Sequence, residues 1–250
     1  MQRLRRLVAR RSARQEEGVL VVEGAKLLGE AVQAGAAIES VFVAPGGDGP
    51  AVDAAYAAGA RVYALAAGVI ERVADTTTPQ PVAAVVKSVD RPIDALRAAT
   101  LVVVAVDVRD PGNAGTLLRS AEAAGADGVV CCDGSVDVYN PKTVRASAGS
   151  LFHVPVVVGG DPVAVLQQLG GWGLQRLGAA VGAGVAHTAA DLTRPTAFVL
   201  GNEAHGLPEG VAGELDGLVH IPMAGRAESL NVGVASAVLC FEAARQRRER

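Results

Sequence analysis

Residues 101–120 read LVVVAVDVRDPGNAGTLLRS, and this stretch decides the fold. It opens with a continuous apolar run, Leu101 to Val106, which is typical of a strand buried on both faces of a parallel sheet. A glycine-containing turn follows, and the spacing from Gly115 to Gly125 predicts a helix. A buried strand that leads through a short turn into a helix is the repeating unit of α/β domains, so we predict a parallel sheet here.

Outward from this stretch, the same β–α alternation continues in both directions. Toward the C-terminus we predict strands at 128–132, 154–158, 175–180, 197–200 and 218–221 and a last helix at 230–246. Toward the N-terminus we predict strands at 19–22, 38–44, 61–65 and 82–86, helices at 2–14, 23–33, 51–58 and 68–74, and a turn at 76–81. Residues 88–100 have the composition of a linker, so the predicted domains are 1–95 and 96–250.

Composition narrows the class of protein. Half of the residues are apolar, but no uninterrupted apolar run reaches 18 residues and no secretory signal pattern opens the chain, so we expect a cytoplasmic protein without a membrane partner. The three cysteines, Cys131, Cys132 and Cys240, suit neither a disulfide framework nor a zinc site, and we interpret them as buried thiols. None of the histidines has a second His or Cys at ligand spacing, so we predict no metal site and local hydrogen bonds for each: His153, His187, His205 and His220.

Charge is distributed unevenly, although the net value is −3. The first fourteen residues contain no acid and six arginines, namely Arg3, Arg5, Arg6, Arg10, Arg11 and Arg14. A second basic cluster, beside Glu249, consists of Arg245, Arg247, Arg248 and Arg250. Clustered arginines favour binding to phosphates, which is our interpretation of the N-terminal cluster. The C-terminal cluster fits a solvated helix face equally well.

Three motifs follow predicted strands of the second domain. After the first strand, the turn at 110–115 brings backbone N–H groups and a helix N-terminus toward an anion, and Arg119 on that helix could bind a phosphate. Neither a GxxxxGK[ST] sequence nor a complete GxGxxG sequence is present, which disfavours ordinary ATP or NAD binding.

The other two motifs are FVLGNEAHGLP at 198–208 and VHIPMAG at 219–225, which is followed by AESLNVGVAS at 227–236. Ligands bind at the carboxyl ends of strands in open α/β sheets, so Glu203 could hold a ligand there, or it could cap a helix near His205. Ser229 and Asn231 are at the start of a helix, where such residues commonly serve as N-caps. The small residues that follow predict a helix packed closely against backbone.

Together the three motifs resemble those of the SpoU (TrmH-like) branch of the SPOUT RNA 2′-O-methyltransferases, which they match at residues 113–119, 200–208 and 221–236. The segment NPKTVRASAGSLFHVP at 140–155 is similar to the family's central segment. VEG at 22–24 and TPQP at 78–81 are similar to the substrate-binding domain of many members, an α/β unit like ribosomal protein L30e.

This resemblance implies an α/β fold in which a parallel-sheet SPOUT domain with a C-terminal trefoil knot follows a smaller L30e-like domain. It also implies a homodimer with active sites at the interface and S-adenosylmethionine as methyl donor. The residues that match donor-binding positions are Leu200, Gly201, Glu203, Ile221, Met223, Ser229 and Leu230. Arg119, Asn113, Ser229 and Asn231 match catalytic positions. The expected RNA-binding residues are Arg3, Arg5, Arg6, Arg10, Arg11 and Arg145.

The implied reaction is methyl transfer to a ribose 2′-hydroxyl, a group that RNA has and DNA lacks. We expect Arg119 to bind the adjacent phosphate and steer the proton, with Asn113 and Asn231 orienting the ribose and no metal required. The separate N-terminal domain favours 23S ribosomal RNA over transfer RNA. Two alternatives are an RNA-binding protein of the same fold without catalysis and an α/β protein that binds a small molecule.

Overall fold

The computed structural model describes residues 1–73 and 78–249, and the chain clusters into two compact units. One unit comprises Met1–Val89 and Tyr139–His153, and the other comprises Asp90–Val138 and Val154–Arg250. The first change of unit lies near the predicted linker. The segment 139–153, however, belongs to the first unit although it lies after the predicted boundary near residue 95.

In chain order the elements are α1 (Gln2–Ala9), α2 (Arg11–Glu17), β1 (Val19–Glu23), α3 (Ala25–Gln33), β2 (Ile38–Val43), α4 (Pro50–Ala57), β3 (Arg61–Ala64), β4 (Val82–Lys87), β5 (Leu101–Ala105), α5 (Pro111–Ala123), β6 (Gly128–Cys131), α6 (Pro141–Ala146), β7 (Val156–Val158), α7 (Pro162–Gly171), β8 (Gln175–Ala179), β9 (Val185–Ala186), β10 (Thr196–Leu200), α8 (Glu209–Ala212), β11 (Gly217–His220) and α9 (Val232–Arg248).

The first unit is built on a mixed sheet with the order β1-β4-β2-β3. β4 is antiparallel to both β1 and β2, whereas β2 and β3 are parallel. Alternate residues of β1 and β4 bury one face of the sheet under α1 and α2, in a cluster that includes Leu4, Leu7 and Val85. The predicted strands of this unit are confirmed.

The predicted single helix over 2–14 is wrong, because the backbone of Arg10 is extended and separates α1 from α2. The second half of the segment then turns inward. Arg14 is buried and donates to the carbonyl of Leu7 at 2.6 Å, so it satisfies a helix end and is not part of an exposed basic face. In place of the helix predicted at 68–74 there is a 3-10 turn, Ile70–Arg72. The described residues do not include Ala74, which belongs to that predicted helix, or Thr76 and Thr77, which belong to the turn predicted at 76–81.

The second unit contains a seven-stranded sheet with the order β7-β6-β5-β10-β8-β11-β9. Every neighbouring pair is parallel, and β5, the strand on which the prediction was based, lies between β6 and β10 with all five residues buried. The α/β class with a mostly parallel sheet is therefore confirmed. The trefoil knot stays a prediction.

Several boundaries differ from those predicted, for local physical reasons. α5 begins at Pro111, four residues before the expected start, because Asp110 caps it and proline suits the first helical position. α9 begins two residues late, after its cap at Asn231. We expect helices between most of the predicted strands, but periodicity gave no bounds for the short helices α6 and α8, and it missed β9. The cysteine interpretation is confirmed: all three thiols are free, and burial raises the pKa of each to about 12.

None of the helices within residues 1–73 and 78–249 is long and apolar enough to cross a membrane.

Candidate active site

A large cavity opens at the carboxyl ends of three neighbouring strands of the second unit. β8 lies between β10 and β11, so the loops that follow these strands meet at one edge of the sheet. The cavity measures about 870 Å³, within the range of about 300–1,000 Å³ that is usual for small-molecule sites. All seven residues predicted to bind the donor line it: Leu200, Gly201, Glu203, Ile221, Met223, Ser229 and Leu230.

The loop after β10 has a fixed conformation. The Asn202 side chain donates to the carbonyl of Asp107 at 3.0 Å and accepts from the backbone of Ala204 at 2.9 Å. A Cβ at Gly201 would lie 2.5 Å from the backbone of Gly206, so only glycine fits where the loop folds back on itself. The alternative role of Glu203 as a helix cap near His205 is wrong, because the next helix, α8, begins at Glu209.

Side chains from the three motifs form a continuous hydrogen-bonded chain. The Asn113 side-chain amide, in the first turn of α5, donates to the Glu203 carboxylate at 2.6 Å. The side-chain amide of Asn231 donates in turn to the Asn113 side-chain oxygen. Asn231 also caps α9 by accepting from the backbone of Gly233 at 2.9 Å, so its role as an N-cap and its place in the site coexist. The tertiary structure thus brings together residues that lie 90 and 118 positions apart.

The start of α9 packs closely on α5. A Cβ at Gly233 would lie 2.8 Å from Cβ of Thr116 and 3.2 Å from the carbonyl oxygen of Asn113. The prediction of a small-residue helix against backbone is confirmed at this position. Because Gly233 lies two residues after the cap and its backbone N–H donates to Asn231, this contact also limits the distance between Asn113 and Asn231.

Arg119 is on α5, but it does not line the cavity. Its side chain is exposed, and it forms no hydrogen bond or ion pair with any residue of the described part of the chain. It is therefore available to a ligand that approaches from outside this chain.

The predicted RNA-binding arginines differ in how far their charge is neutralised. Arg3 and Arg6 both bind Glu17, Arg3 also binds Glu39, and Arg5 donates to a backbone carbonyl. These contacts raise the pKa of the Arg3 guanidinium and lower the pKa of both carboxyl groups.

The remaining predicted or basic positions behave differently. The side chains of Arg10 and Arg11 are exposed and form no hydrogen bond or ion pair with residues 1–73 and 78–249. Arg145, on α6, is partly buried and forms an ion pair with Glu23 at 3.2 Å. At the C-terminus, Arg245 binds Glu242 and Glu249, while Arg247 donates to backbone carbonyls, for example that of Thr100 at 2.8 Å. Arg250 lies outside the described residues.

Sequence reasoning missed two parts of the cavity. The loop after β8, residues 179–182, forms one wall, and Gly184 just beyond it passes so close to β11 that a Cβ would lie 2.0 Å from the carbonyl oxygen of Leu218. The position of this loop after a predicted strand was the sequence signal that could have indicated its place in the cavity. His220 also lines the cavity, and Nδ1 of both His187 and His220 is buried without a partner in the described structure, so the expectation of local hydrogen bonds is wrong for these two.

No group of three or more His, Cys, Asp or Glu side chains that could hold a metal ion occurs within the described ranges.

The parallel sheet and its cavity define a ligand-binding α/β protein, and comparison with known proteins identifies its family. The model of the SpoU rRNA Methylase family matches residues 100–241, and that of the MRM3-like substrate binding domain matches residues 1–84. The chain belongs to the SpoU rRNA methylase family and is an RNA methyltransferase.

Relatives extend over nearly the whole chain. The 23S rRNA (guanosine(2553)-2′-O)-methyltransferase RlmP of Bacillus subtilis is 33% identical over 228 residues, which cover 91% of this chain and 89% of the relative. The crystal structure of the SpoU methyltransferase AviRb from Streptomyces viridochromogenes in complex with the cofactor AdoMet superimposes with a TM-score of 0.89 and 29% identity, covering 100% of this chain and 98% of that one. AdoMet-bound rRNA methyltransferase from Sinorhizobium meliloti gives a TM-score of 0.85 and 30% identity, covering 98% and 93%.

Proposed function

We propose that this protein transfers the methyl group of S-adenosylmethionine to a ribose 2′-hydroxyl of 23S ribosomal RNA. The observation that carries the proposal is the chain of hydrogen bonds from Glu203 through Asn113 to Asn231 at the rim of the cavity. It joins all three family motifs in one place, in a chain that belongs to the SpoU family.

The cavity fits the methyl donor in size and in chemistry. Leu200, Ile221, Met223 and Leu230 provide apolar surface for the adenine ring and the methionine chain, and the loop backbones offer N–H and C=O groups. The Glu203 carboxylate provides an acceptor for hydroxyl or ammonium groups. When bound, S-adenosylmethionine supplies a methyl carbon that its positive sulfonium group makes electrophilic.

The protein's own residues act on the acceptor. A ribose hydroxyl reacts only when it is held in line with the methyl carbon and its proton is drawn away. Arg119 binds the neighbouring phosphate through its planar guanidinium and steers that proton, because a guanidinium is a poor base by itself. Asn113 and Asn231, held by their mutual hydrogen bond, orient the ribose, and Ser229 lies exposed at the same rim.

Two copies of the chain complete the site as a homodimer. Arg119 does not line the cavity of its own chain, so a second copy that places its Arg119 there would supply the missing cation. α9 presents a suitable apolar stripe, on which Val234 and Phe241 are 44% and 45% exposed and Val238 lies between them. Isolated exposed apolar residues are common, but a stripe at helical spacing fits a helix of a partner.

Ribosomal RNA is favoured by the extent of the similarity. Two relatives that match nearly the whole chain have names that specify 23S rRNA or rRNA. The tRNA-modifying enzymes TrmH/SpoU of A. aeolicus and the one acting on C/U34 of tRNA cover only 63% and 60% of this chain. Residues 1–95 would then supply affinity for the ribosomal substrate. A ribosomal RNA substrate also implies a cytoplasmic location for the protein.

The test is transfer of labelled methyl from S-adenosylmethionine to unmodified 23S rRNA and, separately, to tRNA, with the wild type, Arg119→Ala and Arg119→Lys. We expect label in 23S rRNA only. We expect a loss of about 100-fold or more with Arg119→Ala and a substantial loss with Arg119→Lys, because lysine cannot bind a phosphate bidentately. Full activity of Arg119→Lys would contradict the bidentate role. Saturable donor binding without label in either RNA would mean that the true substrate is a different RNA or an assembly intermediate, whereas no donor binding at all would favour a non-catalytic RNA-binding protein.

A further inference from the structure

An aromatic pair lies on the sheet of the first unit, outside the site described above. The rings of Phe42 on β2 and Tyr63 on β3 are stacked, with centroids 5.4 Å apart and planes inclined by 19°. The strand register places the two residues side by side. Phe42 packs in turn against the core cluster that contains Leu4 and Ile70. Tyr63 therefore rests on a ring that the core holds in place.

Tyr63 is 45% exposed even though Phe42 covers one face of its ring, so its opposite face and hydroxyl edge account for the exposure. β3 is the edge strand of this sheet, and all four of its residues are exposed. A large aromatic ring that is held on one face and exposed on the other can serve as a platform on which a base stacks.

A cationic side chain lies beside the aromatic pair on β3. Arg61 is exposed two residues before Tyr63, so it lies on the same face of β3. Glu39 lies one residue before Ser40, the strand partner of Arg61. Glu39 binds Arg3 and lies near Lys87. Arg3 and Arg6 both bind Glu17. Arg3 and Arg6 are paired with Glu17 and Glu39, whereas Arg61 forms no ion pair with any described residue, and its uncompensated charge favours a polyanion over a neutral or acidic partner.

We propose that Tyr63 is a stacking platform for an unpaired base of the RNA substrate, with Arg61 binding the phosphate beside that base. This inference rests on the proposed function, because it takes the substrate to be RNA. Proteins recognise RNA sequence mainly at bases splayed out of loops and bulges, and an exposed aromatic face binds such bases. The competing occupant is a protein strand that pairs with the open edge of β3, for which the positive charge gives no reason.

The experiment measures binding of a short single-stranded oligoribonucleotide, and of the same sequence as a duplex, to the full chain. We expect Tyr63→Ala to weaken single-strand binding by about tenfold and Tyr63→Phe to retain the wild-type affinity within about twofold, because the ring is kept. Arg61→Ala should reduce the slope of log affinity against log salt by about one. Tyr56→Ala is the matched control, since Tyr56 is 70% exposed on α4 and outside the ring pair, and it should change nothing.

Unchanged affinity in Tyr63→Ala, or an equal loss in Tyr56→Ala, would overturn the platform. Light scattering that detects self-association in the wild type and its loss in Tyr63→Ala would overturn it in favour of a protein strand. Circular dichroism with thermal unfolding, measured on each variant, verifies that the chain is folded. Methyl transfer by the wild type, together with an unchanged KM for RNA in Tyr63→Ala, would contradict this inference and leave the proposed function intact. RNA binding that depends on Tyr63, without any methyl transfer, would contradict the proposed function and leave this inference intact.

Discussion

Asn113 connects all three motifs through one side-chain amide. Its nitrogen donates to Glu203 and its oxygen accepts from Asn231, so both ends of the group are used. An amide carries its donor and its acceptor on separate atoms, so both can be used at the same time. The residue therefore sets the positions of a carboxylate and an amide that belong to different loops.

We predict that Asn113→Ala lowers methyl transfer by about 100-fold, because small displacements of positioned groups cost roughly that much. Asn113→Asp should be at least as poor, since a carboxylate cannot donate to Glu203 and repels it. Affinity for S-adenosylmethionine, measured by calorimetry on the same variants, separates loss of the pocket from loss of positioning. Activity within about twofold of the wild type for both variants would refute the role.

At the scale of elements, the contact between α5 and α9 holds the two asparagines together. Gly233 is the point of closest approach, and the side chain that a substitution adds would meet Thr116, whose Cβ cannot move independently of its helix. The added atoms would therefore separate the helices, although alanine is intrinsically the better helix former.

We predict that Gly233→Ala lowers the free energy of unfolding by roughly 1–3 kcal/mol and reduces methyl transfer as well. Gly171→Ala is the matched control, because Gly171 is also in a helix, α7, and an added Cβ there meets nothing within 4 Å. Urea unfolding followed by circular dichroism measures the free energy of unfolding of both variants. Equal stability of Gly233→Ala and Gly171→Ala would show that the helices tolerate the extra atoms.

Element boundaries also illustrate how far periodicity reaches. The buried run of β5 was sufficient to predict a parallel strand, because burial on both faces leaves a continuous apolar sequence. Short elements such as α8 and β9 have too few residues to display a period, and the break at Arg10 depends on packing of Leu7 and Ala13 in the same core. These features became visible only in three dimensions.

At the scale of the whole molecule, the proposed dimer makes a test independent of RNA. We predict that the wild type is a dimer and that Phe241→Glu weakens association by about 2 kcal/mol or more, because a charge would replace a central apolar contact. Size-exclusion chromatography with light scattering measures the mass of each. The variant should still bind S-adenosylmethionine, since the cavity lies within one chain, but lose methyl transfer.

Tyr56→Glu is the control for the dimer test, because it introduces the same charge at an exposed aromatic on α4. It should leave the mass unchanged. A monomeric wild type that is fully active would exclude both the dimer and the contribution of Arg119 from a second copy.

The sequence by itself determined the α/β class, the parallel sheet and the three motifs, because apolar periodicity and the order of loops after strands are local properties. The resemblance of those motifs to a family added seven of the residues that line the cavity. Only the tertiary structure decided which polar groups meet. It joined Glu203, Asn113 and Asn231, left Arg119 outside the cavity, neutralised Arg3 and Arg6, and buried Arg14. Contacts between residues far apart in the chain depend on how strands are ordered and helices packed, and no local pattern encodes those distances.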